Sequence, residues 1–209
     1  MTPLGNGLSA AEDYENALTV GKAELSMLWR FGAAERDILV VQGNLAGMYN
    51  KLGQNEQALN IYREVYSGHL KLLGEEHGDT LAAAYNYVLP LIDLRRPGEV
   101  KSLMRKTIPV ARRILSENSE LTLSMNQVYA LALYDDDGAT LVDVRETVTT
   151  LEDSLRISRR VLGGAHPLTM AIELNLKGAR MVLSAHEAAW RRTVTPPGYF
   201  LKFRHKYFT

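Results

Sequence analysis

The five histidines, His69, His77, His166, His186 and His205, are the first residues that could do chemistry. Imidazole can hold a metal or move a proton near neutral pH. No two of them stand as His-x-x-x-His or His-Glu-x-x-His, the spacings that put metal ligands on one helix face. "HEAAW" at 186–190 has only half of that pattern, so solvent-facing or turn histidines are expected. "YDDDGAT" at 134–140 offers carboxylates to calcium, but a calcium loop spaces its ligands differently and places its glycine later. A solvated turn with acids near a helix start fits better. "LGGAH" at 162–166 is glycine-rich yet lacks the lysine and preceding strand of a phosphate loop. Cysteine is absent, which removes disulfides, thiolate metal sites and thiol nucleophiles and fits a reducing, cytoplasmic compartment. With no nucleophile–base pair or metal cluster, neither catalysis nor a metal nor a cofactor is expected.

The surroundings of His77 show what positions these residues. "LGEEHGDTL" begins at Leu73 and has counterparts in "FGAAERDIL" from Phe31, "LSENSELTL" from Leu115 and "LGGAHPLTM" from Leu162, at steps of 42, 42 and 47 residues. The fifth position reads Glu35, His77, Ser119 and His166. A ligand or a base could not vary so freely. An apolar residue, a small residue, several polar residues and a renewed apolar pair mark one helix ending and the next beginning.

Between these phrases the apolar residues recur at helical spacing. Leu39, Leu45, Ala46, Tyr49 and Leu52 form one stripe, and Ala58, Leu59, Tyr62, Val65, Tyr66, Leu70 and Leu73 another. Gly53-Gln54-Asn55, Arg96-Pro97-Gly98 and the acidic 134–140 stretch break the pattern inside each unit. About seven helices in antiparallel pairs are expected, with no strand. Pro90 and Pro109 fall inside predicted helices, which are expected to continue with a kink at each; the alternative is an early end near residue 89 or 108. The expected organisation is a flexible N-terminus over 1–8, a repeat domain over 9–190 and a tail over 191–209. From Glu187 onward that last stretch has five basic residues against one acid.

Lys plus Arg equals Asp plus Glu at 24 each, so no electrostatic footprint for nucleic acid or an anionic membrane is expected. The longest aliphatic run, "ILVV" at 38–41, is far too short to span a bilayer, and the first residues lack the pattern of a secretory signal.

"NLAGMYNKLGQNEQALNIYREV" followed by "LLGEEHGDTL", and later "VLGGAHPLTM", resembles the tetratricopeptide repeat of the kinesin light chain type. Asn44, Leu45, Ala46 and Tyr49 match its first helix, Gly53 its turn, and Ala58 and Tyr62 its second helix; the likeness extends over roughly residues 10–186, with weaker matches at Arg95 and Val100. The resemblance implies an all-α, right-handed superhelical solenoid of antiparallel helix pairs, whose first helices line a concave groove for an extended peptide or partner protein. Asn44, Asn86 and Asn175 recur at one repeat position, and in the family the matching amides hold a peptide backbone. An amide can do so because it both donates and accepts. The same residues could instead bridge neighbouring helices. Asn50, Lys51, Tyr85, Asp93 and Gln127 are further groove candidates on these helices.

The implied role is a non-catalytic scaffold or adaptor. No segment sustains the three heptads of a coiled coil through which the family attaches to a motor. The alternative is self-association through uncapped terminal helices. The last helix has more apolar residues than one buried face requires, among them Leu174, Met181 and Leu183. The tail around Phe200 and Phe203 could cover it, touch a membrane or partner, or stay free.

Overall fold

Helices start and stop where the repeated phrase places them. The structure, a computed structural model, describes residues 3–134 and 138–194. Its helices are α1 (Pro3–Arg30), α2 (Glu35–Lys51), α3 (Asn55–Leu73), α4 (Gly78–Asp93), α5 (Pro97–Leu115), α6 (Glu120–Tyr134), α7 (Leu141–Val161) and α8 (Pro167–Val194). The class is all-α, with eight helices where about seven were expected and no strand among the described residues. The chain divides into two compact units, Met1–Ala132 and Leu133–Thr209, so the repeat block expected over 9–190 spans both. Helix α1 starts at Pro3, within the stretch expected to be flexible. Asp135 to Asp137 of the acidic turn and residues 195–209 of the tail lie outside the described residues.

The turns explain the repeat length. Gly32, Gly74 and Gly163 hold one position of the phrase, each at positive φ, where a Cβ is costly. Ser116 occupies that position in the third phrase and takes φ 79° and ψ 154°, a region that favours glycine. The turn inside each unit shows the same substitution. Gly53 has φ 73°, and Arg95, its counterpart one repeat later, follows at 53°. Both turns close with equivalent bonds: Gln54 N–H donates to Tyr49 O at 2.9 Å, and Arg96 N–H to Leu91 O at 2.9 Å. The backbone thus keeps the turn although the glycine is gone. His77 is the N-cap of α4, its Nδ1 accepting from the Asp79 N–H at 3.1 Å, and His166 Nδ1 accepts from the Leu168 N–H at 3.3 Å. Both are turn residues that satisfy an otherwise open helix-start donor.

Neither interior proline ends its helix; α4 continues to Asp93 and α5 to Leu115. Pro90 is buried, and its carbonyl still accepts from the Leu94 N–H at 2.9 Å.

In the first unit successive helices run antiparallel and share small contact residues. Ala46 and Ala58, both fully buried, meet beside Tyr62 where α2 crosses α3. Farther along the same pair, Leu39 and Val65 pack with Ala83 of α4, and a Cβ on Gly68 would come within 2.6 Å of Leu39. These contacts bring α2 and α4, both first helices of their repeats, side by side, joined by an Arg36–Asp79 ion pair at 2.8 Å.

The second unit pairs α7 with α8. Thr140 and Asp143 form a reciprocal capping box at the start of α7. Arg145–Glu187, Glu152–Arg180 and Arg159–Glu173 then join the two helices at 3.2, 2.7 and 2.8 Å. Val144, Leu151, Ile172 and Ala179 are fully buried.

Candidate functional site

Helices α2 and α4 enclose a cavity of 690 Å³ with α3 beneath it. Residues Arg36, Val40, Gly43, Asn44, Gly47 and Lys51 recur at three- and four-residue steps and present one face of α2. Asp79, Ala82, Ala83 and Asn86 do the same on α4. The floor comes from Tyr62, Val65 and His69 of α3. Gly47 makes room, because a Cβ there would stand 3.2 Å from the Tyr62 hydroxyl.

Among the candidate residues, Asn44, Lys51 and Asn86 line this cavity together. Asn44 is exposed and Asn86 half-buried, and neither amide makes a hydrogen bond among the described residues. The Asn50 amide N–H donates to Asp93 Oδ2 at 3.3 Å, bridging α2 to α4, while its own buried Oδ1 has no partner among the described residues. Of the two roles open to the asparagines, bridging therefore falls to Asn50. Tyr85 is bonded to Ser124 of α6, with its phenol pushed up by burial, eased by that hydrogen bond and raised further by Glu120. Gln127 is half-buried on α6, and Asn175 is half-buried on α8 in the second unit.

One cavity residue departs from expectation. His69 is neither solvent-facing nor in a turn; it is 6% exposed, and its Nδ1 has no hydrogen-bond partner. Burial lowers its pKa from the usual value, Asp79 opposes that shift, and Arg36 and His77 add to it. The ring is held neutral beneath the cavity. Its place on the stripe Ala58, Tyr62, Val65 was the signal in the sequence.

The geometry suits polar recognition. Unpaired amides sit above small residues, Lys51 lies at one end, and the Arg36–Asp79 pair lies at the other. Among the described residues no three His, Cys, Asp or Glu side chains gather as a metal site would require. No helix there is long and apolar enough to cross a membrane.

Residues 39–79, which supply α2, α3 and the turn to α4, match the tetratricopeptide-repeat family. They form a tetratricopeptide repeat. The fold as a whole is similar to that of a Podosopora anserina protein named for kinesin light chain and built of nearly identical TPR-like repeats. The two share 20% sequence identity at a TM-score of 0.67, over 90% of each chain. A variant of that protein with one residue replaced gives 19% and 0.65, over 91% of this chain and 95% of that one. BtubC (BKLC) from P. vanneervenii gives 13% and 0.56, over 84% and 75%. No curated protein sequence matches the chain. Most of the cavity lining lies within residues 39–79 and α4, where Asn86 continues the series begun by Asn44, with Tyr14 of α1 and Arg36 completing it.

Proposed function

We propose that this chain is a non-catalytic scaffold or adaptor whose α2–α4 cavity holds an extended peptide segment of a partner protein. The observation that carries this reading is the contrast between neighbouring asparagines. Asn50 is committed to Asp93, whereas Asn44 and Asn86 keep both amide donors and acceptors open over one cavity. An extended peptide presents backbone N–H and C=O groups along its edge, and paired amides on adjacent helices can read them with little demand on side chains. Lys51 would favour a carboxylate on the peptide. The likeness to tetratricopeptide-repeat folds supports the same role. The proposed setting is the cytoplasm, without nucleic acid or membrane as partner.

A displayed library of random peptides, panned against the wild-type chain, supplies the probe. The joint Asn44→Ala and Asn86→Ala variant should bind the selected peptides about 1–3 kcal/mol more weakly while melting at nearly the same temperature. Unchanged binding with a lowered melting temperature would assign these amides to the fold and end the proposal.

A further inference from the structure

Two helices leave an apolar stripe open. On α8, Met170, Leu174 and Met181 are 58%, 70% and 69% exposed; on α1, Val20 and Met27 are 68% and 56% exposed. The internal repeat identifies both faces. Met170, Leu174 and Lys177 occupy the positions in the fourth frame that Leu39, Gly43 and Ala46 occupy in the first. On α2 those positions face α3: Leu39 packs with Val65, a Cβ on Gly43 would stand 3.8 Å from Val65, and Ala46 meets Ala58 and Tyr62. Conversely, Val20, Ala23 and Met27 precede Tyr62, Val65 and His69 by one repeat, and those α3 residues pack on α2 or lie beneath its cavity. So α8 shows the face a first helix turns to its second helix, and α1 shows the face a second helix turns to its first.

We infer that α1 of a second copy of this chain docks on α8, completing one repeat across two molecules. Applying the α2–α3 pairing to these helices brings Ala23 to Met170 and Leu174 and sets Lys177 beside Asn16 and Val20. Lys177 forms no ion pair among the described residues. Both helices have 28 residues. The stripe borders a 1170 Å³ channel between α7 and α8, floored by Leu155, Leu176 and Met181. Lys177 adds positive charge to that channel, and the exposed surface of α1 carries the acids Asp13, Glu15 and Glu24. The sequence beyond residue 190 carries basic residues, and its charge disfavours it as the occupant. Because the contact joins unlike surfaces, each added molecule presents a fresh face and growth does not stop at two.

Sedimentation of the full chain over a wide concentration range tests this. The wild type should gain mass with concentration in steps of one chain. Val20→Glu removes one face and Leu174→Glu the other; both sites are well exposed, so helicity by circular dichroism should be kept. Each variant alone should stay monomeric. An equimolar mixture should form a one-to-one dimer and nothing larger, because each variant supplies the face its partner lacks. A wild type that remains monomeric throughout overturns the inference, and so does a folded single variant that still associates.

Discussion

The α2–α4 cavity of the first unit and the α7–α8 channel of the second are both bordered by helices of this repeat fold, yet they leave different groups unpaired. In the cavity Asn44, Asn86 and Lys51 face space beside the exposed Val40, over a floor that includes a buried histidine. In the channel Glu152–Arg180 and Arg159–Glu173 pair along the rim, and what stays open is an apolar floor with Met181 beside Lys177. A surface with unspent amides can recognise a backbone whose polar groups are free, as in an extended strand. A surface with paired charges and bare methyl and thioether groups suits a helix, whose backbone is already satisfied. The same architecture can therefore offer two kinds of docking, decided by which polar groups have partners.

The largest change should come from Ala58→Trp, at the wall behind the cavity. Ala58 is fully buried against Ala46 and Tyr62, and overpacking there should destabilise the first unit by about 1–3 kcal/mol or more in chemical denaturation. An unaltered midpoint would mean that the small-residue crossing does not set the cavity's shape. Ser116→Gly is the control outside both regions. Relieving a glycine-favouring conformation should stabilise by about 1–3 kcal/mol and leave peptide binding and self-association unchanged.

Acid should then separate the two regions. The folded pKa of His69 lies below its ordinary 6.5, so the unfolded chain binds the proton more readily. Its contribution is complete above about pH 6.5 and is lost as the pH falls through the folded value. Melting of the first unit should therefore drop between pH 7 and pH 5, and His69→Leu should flatten that dependence. An equal pH slope in the variant would place the cause elsewhere. The smallest effect belongs to Glu152→Gln on the channel rim. Its pair with Arg180 is exposed, so a loss of about 0.2–1 kcal/mol is expected, shrinking with added salt.

Much of the fold was legible because its punctuation repeats. Gly32, Gly74 and Gly163 mark the ends of units, and the stripe from Ala58 to Val65 marks a buried face. The phrase also separated His77 and His166 from metal chemistry before their capping bonds were seen. The continuous course through Pro90 and Pro109 was legible too, because the apolar spacing carries on past both prolines. Among the site residues, the sequence set Asn44 and Asn86 ahead of Asn50 and Asp93 by their recurrence, but it did not show the Asn50–Asp93 contact. Which amide meets Asp93 depends on the rotation of α2 against α4, and that rotation is fixed by Leu39, Val65 and Ala83, residues far apart in the chain. His69 was missed because a polar residue on an apolar stripe was read by its type and not by its place.

The three ion pairs between α7 and α8 have a consequence beyond their modest energy. They sit seven residues apart on each helix, and their signs alternate: Arg145, Glu152 and Arg159 on one side, Glu187, Arg180 and Glu173 on the other. Slide one helix past the other by two turns in either direction, and arginine meets arginine while glutamate meets glutamate. The pattern works like the teeth of a key, giving little grip but rejecting a two-turn slip.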